Sequence, residues 1–187
     1  MSELSELLIE NPVISAIRND EDLCYAVKSK AKIVFVLYGN ILSIPNICSK
    51  LKEVHKTVFV HIDLIDGLRG DMAGVEYINK YGKPDGIITT KVNCIKYAKQ
   101  LGLQTILRIF IIDSLSTKTG VRNINGTCPN AVEMMPGVAS KEIQAMEKET
   151  QVPIIAGGLI NKKKEVLDAL AAGAIAISTT TKELWEM

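Results

Sequence analysis

The run TVFVHIDLI, residues 57–65, alternates two kinds of side chain in steps of two. In an extended chain Phe59, His61 and Asp63 share one face, and Val58, Val60, Ile62 and Leu64 share the other. The second set is wholly aliphatic and predicts a surface covered by helices. The first set then points inward, where an imidazole above a carboxylate needs polar partners, because burying either one unpaired is costly.

Seven further runs read as strands: PVISAI (12–17), IVFVLYG (33–39), GIITT (86–90), QTILRIFI (104–111), AVEMMPG (131–137), PIIAGGLI (153–160) and AIAISTT (174–180). The segments between them carry helical spacing, as in Leu23 and Val27; Ile47, Leu51 and Val54; Met72, Val75 and Ile78. The same holds for Ile95, Ala98 and Leu101; Ile143 and Met146; Val166, Leu167 and Leu170. Asn19, Asp71 and Ser140 stand where helices should start, and Thr180 followed by Glu183 has the form of a capping box. SLSTKTGVRNIN (114–125) contains Gly120 and has poor periodicity, so the helix after the fifth strand is doubtful.

Strands and helices alternating every ~20 to 25 residues predict βα units around a parallel sheet. Eight units predict an α/β fold, a small closed (β/α)8 TIM-barrel-like domain over residues 1–187, with an open doubly wound sheet as the rival. The length is slightly under the ~200 residues of compact barrels. Short loops and a stub of an eighth helix, KELW (182–185), would account for the difference.

With 47% hydrophobic residues the chain can bury a full core. Lysine and arginine number 22 against 21 acids, so the net charge of +1 gives no global attraction to nucleic acid or anionic membrane. Cys24, Cys48, Cys94 and Cys128 are too far apart for a zinc or redox motif and read as free thiols of a reducing compartment. The start, MSELSELLIENP, carries acids and no basic leader, and no apolar run could span a bilayer. A cytoplasmic location and no membrane partner are expected.

In such a barrel the functional groups sit at the carboxyl ends of the strands, and a phosphate site often lies between the loops after strands seven and eight. Gly157 and Gly158 close the seventh strand without side chains, so their backbone amides can approach an anion; Ser178 and Thr179 close the eighth with hydroxyls. Paired glycines also make tight turns, and Ser or Thr before a helix also cap it. Arg108 and Glu133 are the inward candidates on strands five and six, with Lys91 just past strand four. His61, Arg108 and Glu133 could instead form an internal salt-bridge layer. Asp113 and Ser114 lie on the same rim unless they only begin a helix.

Lysines cluster at 28, 30 and 32, at 50, 52 and 56, and at 162 to 164. No RNA-binding motif accompanies them, and 5% aromatic residues leave little material for base stacking.

The ordered set FVHIDLIDGL, DGIITT, FIIDSLS, MMPGV, IIAGGLI and AISTTTKELW resembles the glycerol-3-phosphate-responsive antiterminators, regulators of bacterial glycerol operons. The likeness runs from NPVISAIRN to KELW. It implies a barrel that senses glycerol 3-phosphate as effector, needs no cofactor or metal, and binds the leader of a target messenger RNA to prevent premature termination. It also implies that the protein is not an enzyme. The matching ligand positions are Asp63, Pro136, Gly137, Gly157, Gly158, Ser178 and Thr179, with His61, Arg108 and Glu133 beside them. The RNA-contacting residues stay unassigned. Ligand is expected to order the loops after strands six to eight, including lysines 162 to 164, or to alter the interface of a homodimer. The alternative is a lyase or isomerase acting on a small phosphorylated substrate, with Asp63 and Glu133, or His61 and Lys91, as acid and base.

Overall fold

The computed structural model describes residues 3–187. Eight parallel strands close into a barrel in sequence order: β1 (Val13–Ile17), β2 (Ile33–Val36), β3 (Thr57–His61), β4 (Gly86–Thr89), β5 (Gln104–Phe110), β6 (Ala131–Met135), β7 (Ile154–Gly157) and β8 (Ala176–Thr179). The last strand returns to the first through the Ile14–Ser178 register, so no strand edge is left open. This closure decides between the barrel and the open sheet.

The α-helices among the described residues are α1 (Glu3–Glu10), α2 (Asp20–Lys28), α3 (Ile44–Glu53), α4 (Met72–Tyr77, continued by a π-helical turn over Ile78–Gly82), α5 (Val92–Gln100), α6 (Ser114–Thr127), α7 (Ser140–Glu149) and α8 (Lys163–Ala171). A short 3-10 turn over Lys182–Glu186 stands in for a last helix, as KELW led one to expect. Asn19 caps α2 by accepting from the Asp22 amide at 2.8 Å, and Asp71 caps α4 by accepting from that of Gly74 at 2.9 Å. Two expected starts differ. Ser140 is already the first residue of α7, and the turn at Lys182 has no side-chain cap, so Thr180 and Glu183 do not form a capping box.

Two cores follow from the strand alternation. Val58, Val60 and Ile62 belong to the outer one, between sheet and helices, whereas Phe59 joins Phe35, Ile106, Ile155 and Ala176 inside the barrel. The expected faces of residues 57–65 therefore hold as far as Ile62. The strand itself ends at His61, and Ile62–Leu64 forms a 3-10 turn that leaves Leu64 exposed rather than under a helix.

Two helices depart from expectation. α6 is continuous for 14 residues despite Gly120, because that glycine is buried where the helix runs close to Ile109 of β5. Its start is fixed by Asp113, which accepts from the Ser116 amide at 2.7 Å while the Ser116 hydroxyl accepts from the Asp113 amide at 3.0 Å. α1 was not foreseen. Its Leu4 and Leu8 pack among the interior residues of the barrel, at the amino-terminal end of the strands, and close that end.

Candidate functional site

Along several strands the inward positions change from apolar to polar at or near the carboxyl end. Phe59 gives way to His61 on β3, Ile106 to Arg108 on β5, Ala131 to Glu133 on β6 and Ala176 to Ser178 on β8. Arg108 and Glu133 are register partners, and Arg108 Nε donates to Glu133 Oε2 at 2.6 Å. Ser178 Oγ donates to the other carboxylate oxygen, also at 2.6 Å. With exposures of 8% and 1%, these two charges are almost wholly out of water, and each is tolerable only because the other is there. The result is a polar floor whose charge is internally balanced.

Above this floor β7 ends in the glycine pair. A Cβ on Gly157 would lie 2.6 Å from Glu133 Oε1 and 2.8 Å from Ser178 Oγ, so the floor can rise against the strand only where there is no side chain. Gly158 (φ +79°) and Leu159 (φ +62°) then both take left-handed backbone, which turns the chain sharply across the mouth. The Gly137 amide donates to the Gly157 carbonyl at 2.5 Å and to that of Gly158 at 3.1 Å. Gly137 thus braces the turn, and neither it nor Pro136 lines the cleft. The amides of Gly158, Leu159 and Thr180 donate to no other group among the described residues. The three residues are among the walls of a small cleft of about 100 Å³, with Arg108, Glu133, Ser178 and Thr179.

The expected hydroxyls are otherwise engaged. Ser178 donates to Glu133, while Thr179 Oγ1 donates to the Ile160 carbonyl at 2.6 Å and accepts from the Thr181 amide at 3.0 Å. Thr179 also accepts the Trp185 indole N–H on its carbonyl at 2.9 Å, which ties the final turn to β8. The hydroxyl on this loop that makes no hydrogen bond among the described residues is that of Thr180. The signal was present in AISTTT, since Thr180 lies two residues beyond the inward Ser178.

Asp63 stands on the opposite side of the mouth, outside the walls of that cleft. Its Oδ2 accepts from Thr89 Oγ1 (2.9 Å), the Thr90 amide (2.8 Å) and Thr90 Oγ1 (3.2 Å). Oδ1 lies 3.7 Å from Lys91 Nζ, which donates to the Gly70 carbonyl at 3.0 Å. Asp63 therefore joins the loops after β3 and β4. Between the two halves sits His61, 2% exposed, with Nδ1 4.0 Å from Asp63 Oδ2 and no hydrogen bond at either ring nitrogen. Burial, and then the Arg108 charge, push its pKa down to about 4 against the opposing pull of Asp63, so the imidazole is neutral.

The basic clusters separate by position. Lys56 is buried and donates to the carbonyls of Ser29 and Ala31, both at 2.7 Å, and Lys52 pairs with Asp85 at 2.5 Å. Residues 28 to 32 and 50 to 56 precede β2 and β3 and belong to the amino-terminal end of the barrel. Lys162, Lys163 and Lys164 are exposed on the mouth side, directly after the glycine turn.

This architecture defines a closed (β/α)8 barrel with a small polar cleft at its carboxyl rim. Residues 13–185 match the family model described as glycerol-3-phosphate responsive antiterminator, and the chain belongs to that family. It is similar to the glycerol uptake operon antiterminator regulatory protein of Listeria monocytogenes str. 4b F2365, with 33% identity over 93% of this chain and 94% of the other and a TM-score of 0.90. A glycerol uptake operon antiterminator-related protein of Thermotoga maritima MSB8 is 31% identical over 95% and 99% of the two chains, with a TM-score of 0.84. The uncharacterized protein YgcP of Escherichia coli (strain K12) is 34% identical over 98% of this chain and 96% of its own.

Proposed function

We propose that this protein is a glycerol 3-phosphate sensor that binds the leader of a target messenger RNA and prevents premature termination in operons of glycerol metabolism. The observation that carries the reading is the cleft between the compensated Arg108–Glu133–Ser178 floor and the open amides of Gly158, Leu159 and Thr180. Backbone N–H groups that converge on a concave site suit a phosphoryl group, and a floor with no net charge accepts the uncharged remainder of a small ligand.

A metabolite acts as a signal by binding one conformation better than another. The turn at Gly158–Leu159 leads straight into Lys162–Lys164, so a phosphate held by those amides would fix the rim that carries this basic run. Membership of an antiterminator family supports RNA as the target, and a cytoplasmic location follows from such a target. No helix among the described residues is long and apolar enough to cross a membrane.

The test is leader-RNA binding with and without glycerol 3-phosphate, repeated on Gly157→Val and Gly158→Val. The sensor reading expects ligand-dependent affinity that both variants lose, and equal affinity in the two conditions rejects it. Catalysis on a phosphorylated substrate would need a free acid and base. Both Glu133 oxygens are already engaged, which weighs against that role, and no turnover of triose phosphates is expected.

A further inference from the structure

We propose that His61 reads a hydroxyl of the bound ligand, so that the site selects a phosphorylated polyol by its uncharged end as well as by its phosphate. The inference rests on the ligand reading above and assigns the wall of the mouth that faces away from the glycine turn.

His61 occupies the polar layer of the barrel at the end of β3. The β2–β3 register pairs Phe35 with Phe59 and Val36 with Val60; continued by one residue it brings Leu37, a wall of the cleft, level with His61. His61 is not itself among the walls of that cleft, so it meets a ligand only through a group that reaches past Leu37. His61 is without a hydrogen bond at both ring nitrogens while 2% exposed. Buried polar groups are nearly always satisfied, and an unsatisfied pair on one ring costs stability that a structural residue would not need to carry.

A neutral imidazole presents one N–H donor and one bare nitrogen acceptor. A hydroxyl both donates and accepts, so a ligand with adjacent hydroxyls can satisfy the ring. The Glu133 charge is balanced by Arg108, so the charge preference at this end of the mouth is set by Asp63, 4.0 Å from the ring. It admits an uncharged diol and repels a ligand that ends in a carboxylate. Phosphate at the glycine turn and hydroxyls at His61 then fix the ligand's direction across the mouth.

Binding of glycerol 3-phosphate, 3-hydroxypropyl phosphate (which lacks the middle hydroxyl) and 3-phosphoglycerate to the wild-type chain and to His61→Phe, by titration calorimetry, tests this. In the wild type, loss of the middle hydroxyl should weaken binding about tenfold, and the carboxylate ligand should bind more weakly still. In His61→Phe the first two should bind with nearly equal affinity, while thermal stability is unchanged or higher because an unsatisfied polar group has been removed. If the wild type binds the first two ligands equally, or the variant keeps the preference, the role of His61 is overturned and the sensor reading stands. If the wild type binds none of the three, both fall. The ligand comparison in the wild type decides the matter even if the variant does not fold.

Discussion

Arg108 and Glu133, register partners on adjacent strands, share a 2.6 Å ion pair almost out of contact with water, and the remaining Glu133 oxygen is held by Ser178 from two strands away. Glu133→Gln leaves the guanidinium buried without a counter-charge and should cost about 3 kcal/mol or more of folding free energy. Ser178→Ala, which leaves the ion pair in place, should cost about 1 to 2 kcal/mol. Urea denaturation of the two variants checks the order. Equal losses would mean that the pair is not the element holding the floor.

The two glycines of the turn should respond differently to alanine. At Gly157 the new methyl meets Glu133 and Ser178, so Gly157→Ala should displace the floor and cost about 2 kcal/mol or more, with loss of ligand binding. At Gly158 the new methyl meets mainly the flexible end of Met135, 2.6 Å away, and the left-handed backbone adds about 1 kcal/mol. Thermal melts and ligand titration distinguish the two.

The buried imidazole makes stability fall in acid. His61 has a folded-state pKa of about 4 against an ordinary 6.5, so between these values the unfolded chain holds more protons than the folded one. Stability therefore declines as pH drops through that window, by about 2 to 3 kcal/mol from this group. His61→Phe should flatten that part of the profile. Parallel slopes for the two proteins in chemical denaturation between pH 6.5 and 4 would assign the acid sensitivity elsewhere.

If RNA is held at the mouth, its salt dependence should report on Lys162, Lys163 and Lys164. Alanine at all three should reduce the slope of log affinity against log salt by about 2, at ~0.7 per phosphate contact to a single strand. Alanine at Lys28, Lys30 and Lys32, at the other end of the barrel, should leave it unchanged. The reverse result would move the RNA surface to the amino-terminal end.

Much of this was legible because period two survives burial. Phe59 and His61 inward with Val58 and Val60 outward could be read from the chain alone, as could Arg108 and Glu133 as inward polar residues. What could not be read was which hydroxyls are consumed inside the fold. Ser178 finds Glu133 across 45 residues, and the bond depends on the register of three strands. Gly120 looked like a helix breaker because only the packing against Ile109 reveals the close approach it permits. Helix α1 escaped notice since it is eight residues long, and Leu4 and Leu8 acquire meaning only beside an interior they can close. Asp63 was placed on the extended strand, but the chain coils one residue earlier and the carboxylate joins two loops instead.

That same helix makes the molecule a cup with a stopper in its base. If the sensor reading holds and RNA is also held at the mouth, an occupant a few atoms in size and a much larger polymer would meet at the same lip.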